Sequence, residues 1–252
     1  PPGSGSLYRQ KEGKGMNTTK PNAIEIQDLH GRYGPSHVLH GMNLTVPTGQ
    51  VVTMLGRNGA GKTTTMRAIM GLLTSRSGSI KIAGVETIGL VPEQIARLGI
   101  AYCPEERGIF PSLSVRENLL LPPVLHPGGL STEEVLTFFP RLAERSNSPG
   151  TTLSGGEQQM LAIARILRTG CRVLLFDEPT EGLAPVIVQQ IGRVFADLKQ
   201  RGYTILLVEQ NLDFIMELAD YHYVIEHGHV VDQLSNDELC AQPDRLEAYL
   251  GV

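Results

Sequence analysis

One eight-residue stretch, GRNGAGKT at residues 56–63, constrains this chain more than any other. It follows QVVTMLG, an aliphatic run that reads as a buried strand, and precedes KTTTMRAIMGLL, which reads as a helix. The pattern G-x-x-x-x-G-K-[ST] in that strand–loop–helix setting is a phosphate-binding loop. Gly56, Gly59 and Gly61 let the backbone curl so that successive N–H groups, from Asn58 through Ala60 to Thr64, face one cavity and form an anion nest. The following helix adds its positive N-terminal end. Lys62 is placed to neutralise β- and γ-phosphate oxygens, and the Thr63 hydroxyl to hold Mg²⁺. A glycine turn that merely happens to precede Lys-Thr would need neither the strand nor the helix.

The rest of the chain supplies a matching scaffold. AIEIQDLHGRYG and HVLHGMNLTV alternate apolar and polar residues as half-buried strands do, and SGSIKIAG, IAYC, RVLLFDE, TILLVEQ and YHYVIEHGHVV add further strands. Helical patterns separate them, so the expected fold is α/β, with a mostly parallel sheet covered on both faces and an antiparallel β portion near the N-terminus. Residues 105–170 read as mainly helical, with Pro- and Gly-rich joints, and are expected to form a helical subdomain within a single domain spanning 16–252. The opening PPGSGSLYRQKEGKG reads as a flexible leader, residues 1–15, ahead of a natural start at Met16.

Two more stretches carry chemistry. VLLFDEPT ends an aliphatic strand on two carboxylates, and ligands of open parallel sheets bind beyond such strand ends. Asp177 suits Mg²⁺ held through water. Glu178 suits a general base that polarises an attacking water. In LSGGEQQMLAIARIL, Ser154, Gly155 and Gly156 lead into a helix, which makes a second phosphate-binding N-terminus. Standing alone, that stretch would read as a serine-capped helix and no more.

Taken in order, the phosphate loop, LSGGEQQ and the aliphatic strand ending Asp-Glu resemble the ATPase subunit of ATP-binding cassette (ABC) transporters, over essentially the whole chain after Met16. The resemblance implies a P-loop NTPase core that hydrolyses ATP with Mg²⁺. It implies an adenine-stacking aromatic at Tyr33. It also implies a head-to-tail dimer in which Ser154 and Gly156 reach the γ-phosphate held by a second ATPase subunit, so that two ATPs are sandwiched. In the family the loop EGLA crosses that interface, and Ala184 stands where many members carry Asp. The stretch GIFPSLSVRENL lies where the family has a groove for short cytoplasmic helices of transmembrane permease subunits, so docking is expected around residues 105–119, with about half of Phe110, Pro111 and Leu113 facing the partner.

Two positions depart from the common family pattern. Glu105 stands where a Gln usually senses Mg²⁺ and the γ-phosphate. Gln210 stands where a His usually contacts the γ-phosphate. A glutamine amide donates the same kind of hydrogen bond but carries no proton at neutral pH. Capping of the next helix is the alternative role for Gln210. Together with DEPTEGLAP, SLSVRENL and the closing AYLG, the pair resembles the ATPases of branched-chain amino acid importers and their amide or urea relatives, which typically pair two different ATPase subunits. A subunit of that kind sits at the cytoplasmic face of the membrane, peripheral through its permeases, and serves a separate solute-binding protein. The rival reading is a soluble ABC ATPase acting in DNA repair, translation or cofactor assembly.

Composition narrows the field. A net charge of −4 shows no basic excess, which argues against a nucleic-acid partner. No apolar run approaches the roughly 18 residues a membrane helix needs. Cys103, Cys171 and Cys240 are widely spaced and suit a reducing compartment. His227-Gly228-His229 reads as a hairpin rather than a metal site.

Overall fold

The computed structural model describes residues 21–241; the leader 1–15 and the AYLG stretch lie outside them. The described residues build two sheets. Four strands form an antiparallel sheet in the order β2-β1-β4-β5, from β1 (Asn22–Tyr33), β2 (Ser36–Pro47), β4 (Ser75–Ile82) and β5 (Val85–Glu86). Six form the second sheet in the order β10-β9-β3-β8-β7-β6. They are β3 (Val51–Leu55), β6 (Ile100–Cys103), β7 (Val173–Asp177), β8 (Thr204–Val208), β9 (Tyr221–Glu226) and β10 (His229–Ser235). Five of the six run parallel, and only the β9–β10 pair is antiparallel. The fold is thus α/β with an antiparallel N-terminal portion, as expected, and its second sheet closes on a C-terminal hairpin.

The central strands are buried at every position because both their faces are covered. Their side chains still alternate, but between two apolar cores rather than between core and water. Val51, Leu55, Leu174, Phe176, Ile205 and Leu207 enter one core. Val52, Met54, Leu175, Leu206 and Val208 enter the other. The first core is covered by α6 (Gly155–Leu167), α7 (Pro185–Gln200) and α8 (Leu212–Leu218). There Phe176, Phe195 and Phe214 pack in sequence, with ring centroids 4.4 and 6.0 Å apart, the first pair tilted and the second edge-to-face. The second core is covered by the antiparallel sheet and by α1 (Lys62–Ile69). Between β6 and β7 the chain forms α3 (Val115–Leu120), α4 (Thr132–Phe138), α5 (Pro140–Glu144) and a 3₁₀ turn at Gly150–Thr152 before α6. The short helices α2 (Pro92–Ala96) and α9 (Asn236–Ala241) complete the described elements. No helix among the described residues is long and apolar enough to cross a membrane.

Helix starts follow the sequence signals. Ser114, Ser131 and Ser154 each cap a helix, with a Glu three residues on returning the bond. Ala184 begins α7 without a side-chain cap, and Pro185 at the first helical position offsets part of that loss. The His227-Gly228 pair forms the β9–β10 turn, both residues with positive φ. No group of three or more His, Cys, Asp or Glu among the described residues is placed to hold a metal ion.

His222 is the one fully buried histidine, set in β9 opposite its register partner Thr53. Its Nε2 lies 3.1 Å from Asn236 Oδ1, and its Nδ1 lies 2.7 Å from Thr53 Oγ1. Since Asn236 Nδ2 donates to Met216 O, the facing amide oxygen requires a proton on Nε2, and Nδ1 then accepts from the threonine. Burial lowers its pKa to about 4. The folded state therefore takes up this proton less readily than the unfolded chain. Its contribution to stability is complete above about pH 6.5 and is lost as pH falls toward 4, up to about 3 kcal/mol. Urea unfolding between pH 7 and pH 4.5 should show His222→Gln losing stability less steeply than the wild type; equal slopes would exclude His222 as the source.

Candidate functional site

The site gathers at the carboxyl ends of three neighbouring strands, because the sheet order places β8 between β3 and β7. Residues 56–61 follow β3, Asp177 and Glu178 close β7, and residues 209–211 follow β8.

The phosphate loop depends on backbone that only glycine adopts easily. Gly56, Gly59 and Gly61 have φ of 142°, 82° and 111°. A Cβ at Gly56 would stand 2.1 Å from the carbonyl oxygen of Ile225, so the loop presses directly onto β9. The hairpin beyond supports it, since the Gly228 N–H donates to Ala60 O at 2.8 Å. Ala60, Lys62 and Thr64 are buried, and Asn58 is exposed at the rim.

Lys62 folds back over this loop. Its Nζ donates to Gly56 O at 2.6 Å and Arg57 O at 3.1 Å, and it lies 4.0 Å from Glu178 Oε1. Burial lowers its pKa, and the charges of Glu178 and Asp177 partly restore it. A nearly buried ammonium facing carbonyls and one carboxylate at long range is a cation that an anion would stabilise.

Asp177 is 1% exposed, and each of its oxygens accepts one hydroxyl. Thr63 Oγ1 donates to Oδ1 at 3.2 Å, and the Tyr102 hydroxyl donates to Oδ2 at 3.0 Å. Burial raises the Asp177 pKa, the two hydroxyls pull it down, and the charges of Glu178 and Glu105 push it up again. A buried carboxylate with acidic neighbours and a hydroxyl beside it suits a hard divalent cation, so the donor set fits Mg²⁺. Glu105 itself is exposed. Glu106 is not merely solvated, as a loop glutamate would be, because it pairs with Arg67 at 3.1 Å. Tyr33 is 40% exposed at the end of β1. It too neighbours Arg67, since a Tyr33 hydrogen bond is the main cause raising the guanidinium pKa.

The three polar residues after β8 divide three tasks. Glu209 is buried and ties the loops together, accepting the N–H groups of Thr180, Gln210 and Asn211 at 2.9, 2.8 and 3.1 Å. Asn211 caps α8 through the Phe214 N–H at 3.1 Å. Helix capping therefore belongs to Asn211, which corrects the alternative role considered for Gln210: the two side chains leave β8 in different directions. The Gln210 amide instead donates to Asn58 Oδ1 and to Glu178 Oε1, each at 3.0 Å, and so bridges the phosphate loop to the carboxylate after β7. Glu178 adopts a positive φ of 47°, unusual for a residue with a side chain. A hydrogen bond to Glu178 raises the pKa of Glu181, the first residue of the EGLA loop.

Ser154, Gly155 and Gly156 open α6, the first two exposed and Gly156 half-buried, and the Ser154 side chain is engaged in a capping box with Glu157. Within one chain the described contacts do not join them to the phosphate loop. Tyr102 was not singled out from the sequence, Glu181 entered only as part of the EGLA loop, and Glu209 was given no task of its own. Glu209 carried a signal, as an acid closing an aliphatic strand; Tyr102 carried none, because its value lies in β6 pairing with β7.

Comparison with known proteins agrees with this geometry. The ABC transporter family model matches residues 39–181, which include the phosphate loop, Ser154, Asp177 and Glu178. The chain is 42% identical over 228 residues to the high-affinity branched-chain amino acid transport ATP-binding protein BraG of Pseudomonas aeruginosa, covering 87% of this chain and 95% of the relative. It is 36% identical to the probable branched-chain amino acid transport ATP-binding protein LivF of Archaeoglobus fulgidus, covering 89% and 97%. Among solved structures, an ATP-binding subunit of an ABC transporter superposes with a TM-score of 0.78 at 28% identity, covering 91% of this chain and all of that one. A nucleotide-free ATP-binding cassette reaches 0.79 at 23% identity and shows the fold. With the loop, the paired carboxylates and the LSGG helix all in register, the chain belongs to the ABC transporter family and is an ATP-binding cassette whose ATPase activity is coupled to transport.

Proposed function

We propose that this chain is the ATP-hydrolysing subunit of an importer for branched-chain amino acids or similar small polar solutes, held at the cytoplasmic face of the membrane by permease subunits. The observation that carries the solute class is the 42% identity to BraG over nearly the full length of both chains. Gln210 and Glu105, at positions where the wider family differs, support the same subgroup.

In this reading the loop N–H groups and Lys62 hold the β- and γ-phosphates, and Tyr33 stacks on the adenine. Thr63 and Asp177, with Glu105 at the loop, would hold Mg²⁺, which supplies neutralisation of phosphate charge. Glu178 takes a proton from the water that attacks the γ-phosphorus, and ADP and phosphate leave. Gln210 already contacts Glu178 and Asn58, and its amide would donate to the γ-phosphate held between them. Ser154 and Gly155, exposed at the start of α6, and the half-buried Gly156 act on the nucleotide of a second ATPase subunit, so dimer closure requires ATP. The permease contact lies along residues 105–119, where Phe110 and Pro111 are exposed and Leu113 is half-buried. Residues 16–252 act as one catalytic domain, and 105–170 form its permease-facing helical part.

Glu178→Gln should lower turnover by about 10² to 10⁴ while leaving ATP binding intact and accumulating a closed dimer, read by ATPase assay and size-exclusion chromatography with ATP. Unchanged turnover removes Glu178 as the base. Gln210→Ala should slow hydrolysis on the order of 10²-fold, as loss of a donor to developing charge does. Normal turnover would restrict Gln210 to bridging loops. For the transport reading, membranes expressing the chain should yield it in complex with permease subunits, and vesicles of that complex should take up labelled leucine only with ATP. Uptake that does not depend on this subunit overturns the solute assignment.

A further inference from the structure

Tyr102 lies on the edge strand β6, register partner of Leu175 in β7. Side chains two apart in a strand share a face, so Leu175 and Asp177 point the same way, and Tyr102 reaches the carboxylate along the diagonal. The ring packs against the core formed by α1 and the antiparallel sheet, which fixes where its hydroxyl ends. That hydroxyl sits 3.0 Å from Asp177 Oδ2, while Thr63 takes Oδ1. The two donors differ in freedom. Thr63 is a short side chain on the first turn of α1 and can turn its hydroxyl away from Asp177. Tyr102 has no comparable rotation, because its hydroxyl lies at the end of a packed ring.

We propose that Tyr102 is a positioning residue that reserves Oδ2 of Asp177, leaves Oδ1 alone for a metal or its water, and so favours Mg²⁺ over Ca²⁺. The inference rests on the reading of Asp177 as the metal-holding carboxylate. Its physical basis is the difference between the two ions. Mg²⁺ keeps several waters and accepts one carboxylate oxygen in a strict octahedron, whereas Ca²⁺ gathers six to eight oxygens and readily takes a carboxylate through both. A phenol donating to Oδ2 fixes the carboxylate's orientation and occupies one of that oxygen's lone pairs, so a single Mg²⁺ contact at Oδ1 is undisturbed while chelation of Ca²⁺ must compete with the phenol. The same bond ties the strand that leads into the Glu105 loop to the β7 carboxylate, three residues upstream of Glu105 itself.

The test titrates MgCl₂ and then CaCl₂ against binding of a fluorescent ATP analogue to the full chain, for wild type, Tyr102→Phe, Tyr102→Leu and Asp177→Asn. Both Tyr102 variants should raise the half-saturating Mg²⁺ concentration relative to that for Ca²⁺ by about tenfold, the size typical for loss of an outer partner of a metal ligand. Melting curves without metal identify any variant that fails to fold, and either Tyr102 variant alone suffices. If the Tyr102 variants shift both metals equally, or neither, Tyr102 only satisfies a buried carboxylate and the proposal falls. If Asp177→Asn leaves metal dependence untouched, the metal reading of Asp177 itself falls, a separate result.

Discussion

The site is organised around one buried positive charge. Lys62 is almost fully withdrawn from water, and its ammonium is held by two backbone carbonyls with Glu178 at 4.0 Å. Such a group is costly unless an anion meets it, and its lowered pKa expresses that cost. The backbone around it is set by close packing. Three glycines with positive φ turn the loop, and β9 presses so closely that Gly56 has no room for a side chain. The carboxylates stand beyond the lysine rather than against it.

Strand order then decides which residues converge. Because β8 lies between β3 and β7, its polar tip falls between the phosphate loop and the carboxylate pair. Glu209 anchors the loop containing Thr180, Asn211 starts α8, and Gln210 is left to span from Asn58 to Glu178. The three roles are interdependent. With Asn211 supplying the cap and Glu209 holding the backbone N–H groups, the glutamine amide is left to bridge Asn58 and Glu178. The Gln210 amide cannot relay a proton at neutral pH, so its part is that of a hydrogen-bond donor to Glu178, the proposed general base.

Much of this was legible beforehand. The aliphatic runs identified β3, β7 and β8 because parallel strands covered on both faces are apolar throughout, and the serine before the glycine pair marked the start of α6. The phosphate loop could be read from glycine spacing because its conformation is local. What stayed hidden were contacts between strands distant in sequence. Nothing near Tyr102 announces that its hydroxyl meets a carboxylate 75 residues on. Nothing near Glu106 announces Arg67. The division of labour among residues 209–211 was open for the same reason, since three adjacent polar side chains at a strand end have identical sequence signatures and differ only in what surrounds them.

Residue identity and short spacing settled the local chemistry: an anion nest where glycines allow positive φ, a lysine beside it, paired carboxylates at a strand end, and a serine-capped helix with glycine N–H groups. These are properties of backbone conformation over a few residues, and sequence encodes them directly. Only the packed sheet decided that Gln210 bridges rather than caps, that Tyr102 and Thr63 share one aspartate, and that β9 braces the phosphate loop. Those outcomes depend on strand neighbours and on apolar cores that exclude water, which no local stretch of the chain contains.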